Sequence, residues 1–136
     1  MTATHELIDH TSELTLRLRG PTFGALVAEA ARAYAGLVPD GIERSPSAGE
    51  RVIRLDGEDR VATLVEWLNE LVYLAEVELW VPTEAEVEEA PDGALTIRAR
   101  GEALAEPFVL VKAATLHGAR VREGPDGLEV EVTLDV

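Results

Sequence analysis

Apolar and polar positions alternate without interruption through Leu128-Glu129-Val130-Glu131-Val132-Thr133-Leu134-Asp135-Val136. A period of two predicts a strand with one face on a core and the other toward water. The same period runs through Leu14-Thr15-Leu16-Arg17-Leu18-Arg19 and is closed by Gly20-Pro21. It places Leu14, Leu16 and Leu18 inward, and Glu13, Thr15, Arg17 and Arg19 outward. The period then becomes helical. Thr22 is a suitable N-cap, and Phe23, Leu26, Val27, Ala30, Tyr34 and Leu37 recur on one face of a helix that ends before Pro39. Residues 39–50 are rich in Pro, Gly and Ser and predict a loop. Arg51-Val52-Ile53-Arg54-Leu55 predicts a short strand. Asp59 can cap a second helix, whose stripe of Val61, Leu64, Val65, Leu68, Leu71, Val72 and Ala75 is the strongest helical pattern in the chain. From Val81 onward the period returns to two, with hairpin turns at Pro91-Asp92-Gly93 and Gly124-Pro125-Asp126-Gly127 and with Leu95, Ile97 and Ala99 alternating between them. The expected fold is α+β: two amphipathic helices packed on a mostly antiparallel β-sheet.

Charge sharpens the strand pairing. A final hairpin closed around Pro125-Asp126 sets Arg122 opposite Glu129, Arg120 opposite Glu131 and Val121 opposite Val130. The first strand, laid antiparallel on the other edge of the last, sets Arg19 opposite Glu129, Arg17 opposite Glu131 and Thr15 opposite Thr133. Opposite charges across a ladder stabilise it by a few tenths of a kcal/mol each. The same register brings Glu13 opposite Asp135, a like-charged pair, and the α-carboxylate of Val136 adds a third anion held as firmly as the strand. Such a cluster is costly unless a hard cation with oxygen ligands answers it. Glu13, Asp135 and Val136 are therefore candidate ligands of a divalent metal. The alternative is that the two strands are not neighbours and both side chains are solvated.

Composition narrows the function classes. The chain has 136 residues and no internal repeat, which suits a single domain over residues 1–136 that buries roughly 65–70% of its extended surface. With no Cys, disulfides and thiolate metal sites are excluded. The start lacks the basic and apolar regions of a signal peptide, and no apolar run approaches the ~20 residues of a membrane span, so a cytoplasmic protein without a membrane partner is expected. The 26 acidic against 12 basic residues give a net charge of −14, which opposes phosphate backbones, so no direct nucleic-acid binding is expected. No nucleophile–base pair, Gly-rich phosphate loop or paired helical His motif is present.

Three segments resemble one family. His10-Thr11-Ser12-Glu13 is similar to the archease His-Thr-Ala-Asp motif, Trp67-Leu68-Asn69-Glu70-Leu71-Val72-Tyr73-Leu74 to its second-helix signature, and Lys112-Ala113-Ala114-Thr115-Leu116-His117-Gly118 to its Lys-Ala-x-Thr-x-His-Gly segment. The resemblance covers essentially the whole chain, including the Asp135-Val136 ending. It implies an archease-like fold and a non-catalytic activator of the GTP-dependent tRNA-splicing RNA ligase, one that promotes ligase guanylylation and multiple turnover. It also implies that the ligands of a divalent ion are Glu13, Asp135 and Val136, the ion being calcium, with magnesium or manganese as alternatives. Ser12-Glu13 departs from Ala-Asp, and Leu116 stands where an aromatic is common. Glu is one methylene longer than Asp, and a flexible oxygen-lined site tolerates that.

Other readings of the same residues stay open. The protein could be a chaperone-like modulator of RNA-modifying enzymes, or a metal-dependent hydrolase or small-molecule binder built on Glu13 and Asp135. His10 and His117 with Glu13 could form a transition-metal site. His10, Lys112 and His117 could contact the ligase or its nucleotide, or could be a solvated lysine and histidines bonded to backbone. Trp67, Tyr73 and Trp80 could anchor a partner, although Trp67 lies beside the helical stripe and suits the core. Glu66, Asn69 and Glu70 read as a solvated face.

Overall fold

A computed structural model describes the backbone of residues 1–136 and every side chain except that of His117. The chain runs β1 (Thr4–His10), β2 (Glu13–Gly20), α1 (Phe23–Leu37), β3 (Arg44–Pro46), β4 (Arg51–Leu55), α2 (Arg60–Glu76), β5 (Trp80–Glu89), β6 (Leu95–Leu104), β7 (Ala113–Gly124) and β8 (Gly127–Asp135). All pairings are antiparallel, as expected, but they build two sheets rather than one. The first has the order β1-β2-β8-β7. In the second, β3 and β4 pair with successive parts of β6, and β5 pairs along the other edge of β6.

Two elements escaped the sequence pattern. β1 is exposed along nearly its whole length, so neither of its faces selects apolar residues and no period of two is written into it. β3 is a three-residue strand inside the segment expected to be loop, too short to carry a period.

The helices begin where their caps predict. The Thr22 hydroxyl accepts from the Ala25 N–H at 3.1 Å, and the Asp59 carboxylate from the Ala62 N–H at 3.1 Å, each satisfying a donor that the first turn leaves open. At the other end of α1, the Arg44 guanidinium donates to the Ala35 and Val38 carbonyls, where a cation also complements the helix dipole. α1 packs chiefly on β5 and reaches β1 and β2, whereas α2 packs on β7 and reaches β5. The pair thereby joins the two sheets through one core. Trp67 lies in that core, not on the surface. It is fully buried, and its indole N–H donates to the Val27 carbonyl of α1 at 2.9 Å. Trp80 is buried as well, and Tyr73 is the exposed one of the three.

Asn69 is not part of a merely solvated face. Its amide oxygen accepts from the Ala114 N–H at 2.8 Å, and its amide nitrogen donates to the Ala114 carbonyl at 3.2 Å. Both hydrogen-bonding groups of one residue of β7 are thus tied to α2. Asn69→Ala leaves a buried residue's N–H and C=O without these partners, and a loss of about 1–3 kcal/mol is expected, read as a lowered urea midpoint at unchanged slope. A shift within error of zero would show that water replaces the clamp.

Candidate functional site

The outward face of the first sheet carries four rows of side chains, because residues directly opposite on antiparallel strands share a face. One row is Thr4, Arg19, Glu129 and Arg122, and the next is Glu6, Arg17, Glu131 and Arg120. A third holds Ile8, Thr15, Thr133 and Thr115, and the last holds His10, Glu13, Asp135 and Ala113. Every register expected from charge is present, including Glu13 opposite Asp135, so the alternative in which the two strands are not neighbours is excluded.

The ion pairs differ from the expectation in one respect. β8 lies between two strands that both offer arginines, and its glutamates choose β2: Arg17 Nε is 2.9 Å from Glu131, and Arg19 Nε is 2.7 Å from Glu129. Glu6 of β1 adds a second carboxylate to both arginines. Arg120 and Arg122 stand in register without these close contacts. The Arg19 hydrogen bond holds the Glu129 carboxyl below its ordinary range, and the neighbouring guanidiniums add to the effect. A carboxyl with a depressed folded-state pKa contributes stability above its unfolded value, and that contribution is lost as the pH falls through the folded value. Urea titrations below about pH 4 are therefore expected to show a shallower acid loss in Glu129→Gln than in the parent chain. Parallel pH profiles would remove this pair from the acid response.

The last row sits where several chain ends meet. The turn between β1 and β2 brings His10 opposite Glu13, and Ser12 in that turn adopts φ of +67°, a conformation that costs a non-glycine residue on the order of 1 kcal/mol. Its carbonyl accepts the Val136 N–H at 3.1 Å, and the Asp135 carbonyl accepts the Lys112 N–H at 2.8 Å. The backbone of Asp135 and Val136 is therefore fixed from both sides. β-Carbons of directly opposite residues lie about 4.5–5.5 Å apart, so the Glu13 and Asp135 side chains leave the sheet together, beside Val136. Lys112 is exposed just ahead of β7 rather than within a strand. The side chain of His117 lies outside the described residues.

β7 contains a feature that the sequence pattern did not reveal. Thr115 pairs with Thr133, and the next pairing is Arg120 with Glu131, so residues 116–119 stand opposite Val132 alone. This bulge, larger than the usual single extra residue, holds the second half of the Lys112–Gly118 motif. Gly118 has φ of +69° there with open space around it, and Leu116 is exposed. The one cue was Gly118 within an otherwise strand-like run.

The donor set at Glu13, Asp135 and Val136 is all oxygen, which suits hard cations such as calcium, magnesium or manganese. Among the described residues no three His, Asp or Glu side chains converge as a metal-binding group. A cation held here would accordingly rest on two side chains and main-chain oxygen. A surface depression of about 490 Å³ around Arg19, Arg122 and the turn at residues 124–127 lies at the far end of β2 and β8 and contains none of the candidate residues.

Comparison with known proteins places this arrangement. The solution structure of Methanobacterium thermoautotrophicum protein 1598 superposes with a TM-score of 0.71 at 26% identity, over 97% of this chain and 98% of that one. The crystal structure of a Thermotoga maritima protein, described as an archease and possible chaperone, has the same fold at a TM-score of 0.69 and 18% identity, over 98% of each chain. The α+β architecture is thus that of solved archease structures. In sequence, protein archease of Archaeoglobus fulgidus is 34% identical over 97% of this chain and 98% of its own length, and that of Methanosarcina barkeri is 31% identical over 97% and 95%. Residues 5–136 match the Archease protein family, and the chain belongs to it. Among the described residues no helix is long and apolar enough to cross a membrane.

Proposed function

We propose that this chain is a non-catalytic partner of a GTP-dependent tRNA-splicing RNA ligase, in the cytoplasm, that promotes ligase guanylylation and repeated turnover. Glu13, Asp135 and Val136 would hold a divalent cation, calcium first among the candidates. Membership of the archease family supports the reading. The observation that carries it within this chain is the register of Glu13 against Asp135, with Val136 tied to Ser12. Two carboxylates directly opposite on a ladder destabilise it, and a fold that keeps them there has a use for the charge. When bound, a divalent cation supplies positive charge and open oxygen-coordination positions. The chain's own part is positional. Main-chain hydrogen bonds fix Asp135 and Val136, and the outward face presents Asp135 with His10 and Glu13 in one row, with the main chain of Val136, Lys112 and the bulge at residues 116–119 alongside. The Thermotoga maritima protein is described as a possible chaperone, and a chaperone-like action on the ligase is one form that we propose for the same partnership.

The test is formation of the ligase–guanylate adduct with GTP, measured with and without this protein. Faster adduct formation and more than one ligation per ligase are expected. An unchanged rate at saturating protein would refute the proposal.

A further inference from the structure

The proposed cation site occupies the outward face of the first sheet; a different feature lies on the opposite face of the same edge. The half of β1 that includes Leu7 and Asp9 stands opposite Leu16 and Leu14 and so looks toward the core side. α1 ends at Leu37, which lines the same space as Leu7 and Asp9. The segment at residues 105–112, which connects β6 to β7, closes the far wall. Its backbone is fixed by the Ala105 N–H on the Glu43 carbonyl and the Phe108 N–H on the Ala75 carbonyl. Phe108 and Val111 are buried, whereas Val109 and Leu110 are 59% and 47% exposed. The result is an open cleft of about 320 Å³ lined by Leu7, Asp9, Leu14, Leu37, Leu110 and Val136. Scattered exposed leucines need no explanation, but aliphatic side chains that converge on one concavity mark an interaction site.

Charge decides what fits. Glu6, on the other face of β1, is answered by Arg17 and Arg19; Asp9 has no cation within salt-bridge distance among the described residues. A net charge of −14 repels a second copy of this chain and equally repels nucleic acid and anionic membrane surfaces, and it attracts basic protein. From these observations we infer that the cleft is a docking site for a protein segment that presents an aliphatic side chain flanked by lysine or arginine. The aliphatic group fills the space between Leu14, Leu37 and Leu110, and the basic neighbour meets Asp9. The inference goes beyond the cation site and does not depend on the ligase being the partner.

The experiment is a methyl NMR titration of the full chain with three synthetic peptides: acetyl-Gly-Arg-Leu-Lys-Gly-amide, the same peptide with glycine for leucine, and the same peptide with glutamate for both basic residues. The basic leucine peptide is expected to shift the methyls of Leu7, Leu14, Leu37, Leu110 and Val136, and the two controls are not. Leu110→Ser is expected to weaken binding about tenfold, the effect of one largely lost aliphatic contact, and Asp9→Asn to weaken it severalfold. Both positions are exposed, and unchanged core methyl shifts confirm the fold of each variant. Equal shifts from either control peptide, wild-type affinity in both variants, cleft methyls that do not move, or self-association of the free chain through these methyls would each overturn the inference. Ligase activity is not among the readouts, so failure of the ligase proposal leaves the result readable.

Discussion

Trp67→Ala is expected to remove a large share of the stability of this fold. The side chain is fully buried between the helices, and its indole N–H makes the cross-helix bond to Val27. Truncation of a buried tryptophan costs about 3–5 kcal/mol through lost transfer energy and the cavity left behind, against a total of about 5–15 kcal/mol for a domain of this kind. Trp67→Phe keeps most of the apolar surface and loses the donor, so about 1–2 kcal/mol is expected for the hydrogen bond and the smaller ring. Urea titration followed by circular dichroism checks both variants, and Trp80, the second of the two tryptophans, remains as an independent fluorescence reporter. A Trp67→Ala chain within about 1 kcal/mol of the parent would mean that the helix pair repacks without this contact, contrary to the usual cost of such a cavity.

What the sequence revealed follows from what each residue faces. β2 and β8 are half-buried, so Leu14, Leu16, Leu18, Val130, Val132 and Leu134 alternate with polar residues, and the charges on the other face were enough to set the register residue by residue. The same logic fails for β1, where both faces meet water and no alternation is selected. It fails differently for Arg120 and Arg122. Their positions were legible but their partners were not, because β8 is flanked by two arginine-bearing strands and sequence cannot tell which side its glutamates turn toward. Asn69 looked like any polar residue on a helix surface, since its partner Ala114 is 45 positions away and offers only backbone. The bulge at residues 116–119 was hidden for a related reason: its extra residues leave apolar and polar types in a plausible strand order, and only the pairing with β8 exposes the mismatch. At the candidate site, the two side chains could be placed by charge alone, whereas the strained Ser12 and its bond to Val136 belong to the backbone and leave no signature in residue type.

Glu13→Gln and Asp135→Asn are expected to change stability in opposite directions depending on whether a divalent cation is present. Without the cation, each substitution relieves a like-charge pair across the ladder, and a gain of a few tenths of a kcal/mol is expected. With calcium in excess, the parent chain gains free energy from every ion that binds the folded state alone, about 2.7 kcal/mol at a hundredfold excess over the dissociation constant, and a variant that has lost a carboxylate ligand gains less. The two stability curves, measured by urea titration in chelator and in calcium, should therefore cross. Glu13→Asp retains the charge and should follow the parent in both conditions, because a calcium site accepts a range of ligand reach. A glycine appended to Val136 moves the α-carboxylate one residue onward and should mimic loss of a ligand if that carboxylate binds the ion. Removing charge without removing the cation response would show that Glu13 and Asp135 are only tolerated neighbours, and the site would then have to be sought elsewhere on the fold.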